Sequence, residues 1–272
     1  MYFYINRSDR SGSILQLMFC LISYCYKYKI SYHGIIGNKN VWWYNQNFFK
    51  FVKDNFSFQN NMVDISRLKV INFNELKNYS NVPSNHLICE FMVPGFNTDY
   101  FDNNINYYFD KSFLDLIHSN LPIKTYKYIN SAKKIISVHI RRGDVHSNVK
   151  MRYTSDNVYI SIIDNIISNL ENYEIHLFTE KNFNGDLNLF KKYKNIIFHI
   201  ETESGFNKYE NIFNDIMFMI DSDYLICSKS SFSYFPALIN PSGNIYHNNK
   251  FWHKPLNKFL IYDDLTGNMI KN

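Results

Sequence analysis

Apolar and polar positions alternate along the second half of the chain in a rhythm that predicts βα units. The run Ile135, Ile136, Val138 and Ile140 reads as a buried strand. Helical periodicity follows at 156–170, then a strand at 174–179, a helix at 187–193 and a strand at 196–200. A helical segment at 209–222 precedes a strand at 224–228, a helix at 230–240 and a closing strand at 244–247. Four or five such units in succession imply a parallel, doubly wound sheet. The first half repeats the pattern less cleanly: a strand at 2–6, a helix at 14–29, strands at 30–36 and 86–93, and an amphipathic helical segment at 100–120. Two α/β domains, 1–125 and 126–272, are the organisation this predicts.

The bulk properties narrow the class. The 272 residues are 46% hydrophobic and 18% aromatic, enough for folded cores in both halves. The net charge of +5 is modest and scattered, so nucleic acid is not the expected partner. Cys20, Cys25, Cys89 and Cys227 form no Cys-x-x-Cys pair and lie in apolar runs. That fits reduced, buried thiols and a cytoplasmic setting. The longest apolar stretch, 14–26, is too short to span a bilayer, so a soluble chain without a transmembrane segment is expected. The oligomeric state is not legible.

In doubly wound sheets ligands bind beyond the carboxyl ends of the strands, where strand order reverses. The unusual polar clusters fall at such ends: 139–144, 179–181 and 228–231. "HIRRGD" places two adjacent arginines where a strand stops, an arrangement that asks for an anion. His139 reads equally as a satisfied core histidine, and Arg142 with Asp144 as an ion pair that shapes the turn. Gly143 suits a tight βα turn. "CSKSSFSYF" makes Ser230 or Ser231 a natural N-cap. The same helix start, with free N–H groups and nearby hydroxyls, also suits phosphate, with Arg141 as the opposing grip. Asp215 opens the apolar part of 209–222, as a helix-start carboxylate or as an acceptor for the paired donors of guanine. Asp221-Ser222-Asp223 comes close to a metal-binding Asp-x-Asp. It precedes a strand instead of following one, so no metal site is assigned.

These segments resemble a known family. "VHIRRGD" is similar to the His-x-Arg-Arg-x-Asp motif of fucosyltransferases that form α1,2 and α1,6 linkages and of protein O-fucosyltransferases. "DIMFMIDSDYLICSKSSFS" resembles their third motif, including the sixteen positions between Asp215 and Ser231. "MVPGFNTDYF", 92–101, resembles a segment of the α1,2 branch. The resemblance implies a GT-B glycosyltransferase, two facing Rossmann-like domains with the nucleotide sugar held by the C-terminal one. It implies GDP-fucose as donor, a glycan hydroxyl as acceptor, inversion, and no cofactor or metal. On this reading Arg141, Ser230 and Ser231 meet the phosphate, His139 and Asp215 the guanine, and Arg142 completes the first motif. The chain departs from the family at "FTEKN", where only Glu180 stands for paired acids. It also has Val149 where the α1,6 enzymes place a glutamate, and only Gly12 and Gln16 in place of a glycine-rich N-terminal loop. The catalytic base is left among Asp144, His146 and Glu180, with Arg141 stabilising the leaving group. Transfer from another GDP-deoxyhexose, or a nucleotide-sugar or glycan-binding module without turnover, remain the competing readings.

Overall fold

The computed structural model describes residues 2–5, 11–29, 34–37, 69–72, 87–90, 101–120, 132–181, 185–201, 206–241 and 243–270. The chain divides into two compact units, Met1–Leu121 and Pro122–Asn272.

The first unit is built on β1 (Tyr2–Ile5), β2 (Gly34–Gly37), β3 (Lys69–Asn72) and β4 (Leu87–Glu90), in the order β2-β1-β4-β3 with every pair parallel. Helix α1 (Ser11–Tyr28) connects the first two strands. Leu15, Leu17, Phe19, Leu21, Ile22 and Tyr24 lie on all sides of it and are all buried. A helix apolar all round is a core helix, not a surface one. It starts earlier than the periodicity predicts, so Gly12 sits in its first turn instead of a loop, and Gln16 is 3% exposed. The expected helix at 100–120 is broken into α2 (Ile105–Tyr108) and α3 (Lys111–Asn120). The break is made at Asp110, whose Oδ1 accepts from the Phe113 N–H at 3.0 Å and so starts a new helix. Tyr108 stacks on Tyr24 of α1, with ring centroids 6.0 Å apart. Positions 92–100 of the α1,2-like segment lie outside the described residues.

The second unit carries a seven-stranded sheet in the order β11-β10-β9-β8-β5-β6-β7. Its strands are β5 (Lys134–His139), β6 (Tyr173–Glu180), β7 (Ile196–Glu201), β8 (Tyr224–Ile226), β9 (Asn244–Asn248), β10 (Leu260–Tyr262) and β11 (Met269–Ile270). Every neighbouring pair is parallel except β10 with β11. Three helices complete it: α4 (Asp156–Ile167), α5 (Phe206–Asp221) and α6 (Ser231–Ile239). The expected helix at 187–193 is a 3₁₀ turn, Leu187–Lys192, started by the Asp186 carboxylate accepting from Asn188 N–H at 2.9 Å. That stretch is too short to nucleate an α-helix of its own.

Strand alternation sorts the two faces of this sheet. Ile136, Val138, Ile140, Ile175, Leu177 and Ile226 point to one face. They pack beneath Val158, Tyr159, Ile162, Ile163 and Ile166, a helical stripe of α4. The opposite face is polar for a parallel sheet. Ser137 and His139 of β5 stand in register with His176 and Phe178 of β6. His176 Nδ1 lies 2.9 Å from His199 Nε2 of β7, and His176 Nε2 lies 2.9 Å from Glu174 Oε1. Phe218 of α5 covers them, its ring 4.1 Å from that of His176. His176 thus has both ring nitrogens satisfied within the sheet, by Glu174 and His199, which is what lets Phe218 lie over it.

The chain runs outward from β5 through β6 to β7, then returns through α5 to β8 on the other side of β5. The reversal of strand order thus falls between β5 and β8. Whatever follows those two strands lines one crevice.

Candidate functional site

β5 ends at His139 and β8 at Ile226, and the residues after each strand meet across the crevice. His139 is 6% exposed, and its Nδ1 lies 2.8 Å from Ser228 Oγ. Its ring packs 5.0 Å from that of Phe232. Burial, and then the charges of Arg141 and Arg142, push its pKa down to about 3, so the imidazole is neutral. It therefore serves as a hydrogen-bonding group and not as a cation.

Arg141 reaches over this pair. Its Nη1 donates to Ser230 Oγ at 3.2 Å, and Nη2 donates to both oxygens of Asp144 at 3.1 and 2.9 Å. The guanidinium has no other carboxylate ion-pair partner among the described residues. Ser230 is the N-cap of α6, its Oγ accepting from the Phe232 N–H at 3.3 Å. Arginine fork, serine hydroxyl and helix N-terminus therefore converge, and all three attract the same kind of ligand, an oxyanion. Ser231 begins α6 itself, half-buried, with its Oγ 3.2 Å from His253 Nε2.

The neighbouring arginine does something else. Arg142 is completely buried and forms an ion pair with Asp156, at the start of α4. It also donates to Thr154 O at 2.9 Å and to Arg141 O at 2.8 Å, and lies over the Tyr153 ring at 4.5 Å. Its charge is used to hold the 141–156 loop in shape. The pairing within the motif is thus Arg141 with Asp144, not Arg142 with Asp144, because the two side chains leave the strand end in opposite directions. A second buried pair supports the same loop. Lys229, 1% exposed, donates to Asp264 Oδ2 at 2.8 Å and to Lys150 O at 3.2 Å, while Thr154 Oγ1 and Asn248 Nδ2 both donate to Asp264 Oδ1.

Gly143 turns the chain at φ +75°, where an L side chain is strained, and a Cβ there would run into the Glu180 carboxylate. Glu180, at the end of β6, is in this way brought beside the Arg141–Asp144 turn. Thr179 Oγ1 donates to Ile140 O at 2.9 Å and ties the two strand ends together. His146 lies farther along the same loop and is exposed. Asp215 is not at a helix start: α5 begins at Phe206, and Asp215 is half-buried within it. It precedes Phe218 by about one helical turn.

The Asp-x-Asp-like acids lie at the far end of the sheet. Asp223 pairs with Lys134 Nζ at 2.9 Å and accepts from the Ile135 N–H at 2.9 Å, both at the beginning of β5. Among the described residues no cluster of three or more His, Cys, Asp or Glu could hold a metal ion, and no helix is long and apolar enough to cross a membrane. Sequence reading missed His253, Lys229 and the Asp156 partner of Arg142. The first was recoverable, since "FWHKP" follows a parallel strand and so emerges at the same sheet edge as the motifs.

In three-dimensional structure the chain is similar to NodZ, an α-1,6-fucosyltransferase co-crystallised with GDP. The match covers 100% of this chain and 98% of that one at 14% identity, with a TM-score of 0.52. The fucosyltransferase NodZ from Bradyrhizobium matches over 88% of this chain and 93% of that one, at 13% identity and a TM-score of 0.49. Arabidopsis thaliana FUT1 in complex with GDP matches over 95% and 72%, at 11% identity and a TM-score of 0.45. No family model and no curated protein matches the sequence. The fold is GT-B, that of a large class of glycosyltransferases.

Proposed function

We propose that the chain transfers fucose from GDP-fucose to a hydroxyl of a glycan acceptor, with inversion and without a metal ion. The observation that carries this is the convergence of Arg141, Ser230 and the start of α6 at the point where strand order reverses. As the bond between the anomeric carbon and the β-phosphate oxygen breaks, negative charge accumulates on that oxygen. A fixed guanidinium and a helix N-terminus already in place stabilise it without reorganising. A phosphate entering the site competes with Asp144 for the two-pronged face of Arg141 and takes over that grip. NodZ, which shares the fold, was crystallised with GDP.

His139 and Asp215 serve the guanine in this reading, a pairing that rests on the sequence resemblance. The acceptor hydroxyl loses its proton to a base from Asp144, Glu180 or His146, of which Asp144 and Glu180 stand nearest Arg141. The α1,2 linkage rests on the sequence of 92–101 and is the finer part of the proposal.

Incubation with labelled GDP-fucose, an oligosaccharide acceptor mixture and excess chelator tests the reading. Transferred fucose, with slow release of free fucose when acceptor is omitted, is the expected result, and linkage analysis of the product reads the regiochemistry. Nucleotide binding with no fucose released under any condition would favour a binding module. Activity abolished by chelator and restored by manganese would remove the metal-free mechanism.

A further inference from the structure

Ser231 has a neighbour that belongs to none of the motifs. His253 lies on the segment after β9, and its Nε2 meets Ser231 Oγ at 3.2 Å. The imidazole is 3% exposed. It stacks face to face on Tyr234, with centroids 4.8 Å apart and planes 11° from parallel, and meets the Phe251 ring edge-on at 5.0 Å. Tyr234 stands one turn beyond Ser231 on α6, and its hydroxyl donates to Lys254 O at 2.6 Å. The loop is thus fastened to the helix on both sides of His253, and the ring has little freedom to rotate away from the serine.

The geometry points to His253 as the positioning residue for Ser231 in anion binding, an inference that rests on the nucleotide-sugar reading above. A serine hydroxyl has a single proton to give. When His253 Nε2 acts as acceptor, that proton is directed at the imidazole and the serine turns a lone pair toward the ligand, which repels phosphate. When Nε2 carries the proton, His253 donates to Ser231 Oγ, and the serine proton is released to point at the ligand. The chain N–H···O–H···O⁻ then polarises in one direction, each link strengthening the next. An anion at the start of α6 selects this second arrangement. His253 need not touch substrate to produce the effect. It determines which end of the Ser231 hydroxyl the phosphate meets.

Calorimetric titration of GDP against Ser231→Ala, His253→Phe, the double variant and His253→Gln tests the inference. His253→Phe preserves the aromatic stack and removes the hydrogen bond, and should weaken GDP by about three- to tenfold. The double variant should bind no worse than Ser231→Ala alone, because the two residues act as one unit. His253→Gln, whose amide N–H can donate to Ser231, should regain most of the affinity, and a merely structural role would not produce that pattern. In turnover the loss should appear in kcat/KM for the donor with KM for the acceptor unchanged. Independent, multiplying losses in the double variant, or wild-type GDP affinity in His253→Phe, would overturn the inference. So would failure of the glutamine variant to recover, and that variant serves as the test if the phenylalanine one does not fold. Failure of the unmutated chain to bind GDP would instead remove the nucleotide-sugar reading itself, so the two failures are distinguishable.

Discussion

Arg141 and Arg142, adjacent in sequence, have opposite tasks: the first donates to the N-cap serine of α6, and the second is sealed inside the protein against Asp156. A strand end makes the division natural, since consecutive side chains leave the backbone toward opposite faces.

The division predicts separable phenotypes. Arg141→Ala should lower turnover by about two to three orders of magnitude, equivalent to about 3–4 kcal/mol of lost charge stabilisation, with little change in thermal unfolding. Arg141→Lys should recover only part of it, because the fork is lost. Arg142→Ala leaves the Asp156 carboxylate buried without its cation and should cost about 3–5 kcal/mol of folding stability. Thermal melts and initial rates on both variants check this. An Arg142→Ala protein that melts like the unmutated chain would contradict the structural assignment.

Gly143 answers to two constraints at once, a left-handed backbone and the Glu180 carboxylate lying where a Cβ would go. Gly143→Ala should therefore destabilise by about 1–2 kcal/mol from backbone strain, plus the cost of moving Glu180. Adding Glu180→Ala should recover the steric part and leave the backbone part. Chemical denaturation of the single and double variants reads both. Strict additivity of the two substitutions would mean that Glu180 does not stand over the turn.

Buried and half-buried imidazoles give the chain an acid-side weakness. Burial lowers the pKa of His139 to about 3, of His199 to about 4 and of His247 to about 3, from an ordinary 6.5. The folded chain then refuses protons that the unfolded chain accepts, so stability falls as pH drops below about 6.5 and levels off below the folded values. Each histidine contributes up to about 1.4 kcal/mol per pH unit across that window. Carboxylates with lowered values, such as Glu174 and Asp263, lose their contribution only from about pH 4 downward, so the histidine effect is seen separately. Urea midpoints measured from pH 7.5 to 5 should decline, and His199→Phe, which keeps the stack with Phe178 and Phe218, should flatten the decline. A constant midpoint across that range would contradict the burial of these rings.

The C-terminal sheet is legible in the sequence because its strands are short apolar runs divided by turn residues, and parallel topology then places every strand-end cluster on one edge. Strand alternation also makes His139 a sheet-face residue. Several features are not legible for physical reasons. Two adjacent arginines carry the same charge, and only the distant Thr154 and Asp156 decide which is buried. The apolar half of α5 begins at Asp215, so that residue reads as a helix-start carboxylate although the helix runs on from Phe206. The break at Asp110 depends on side-chain contacts of its carboxylate with the Phe113 N–H, the Ser112 hydroxyl and Lys27, which periodicity does not encode. β3, β10 and β11, of four, three and two residues, are too short to show alternation.

In the proposed reading Asp215 selects the nucleotide. A carboxylate can accept from both N1–H and N2–H₂ of guanine, a pair that adenine and uracil do not present. Charge-assisted hydrogen bonds contribute about 1.5–3 kcal/mol each, so Asp215→Ala should weaken GDP by at least about tenfold while leaving ADP affinity nearly unchanged. An unchanged ratio of GDP to ADP affinity in the variant would return Asp215 to a purely structural role.

Calorimetric titration of GDP, UDP and ADP against the unmutated chain and Arg141→Ala, in excess chelator, tests the central claim most directly. The account predicts that the unmutated chain binds GDP well above UDP and ADP without metal, and that Arg141→Ala loses most of its affinity for GDP. Equal binding of GDP and UDP by the unmutated chain, or undiminished GDP binding by Arg141→Ala, would contradict it.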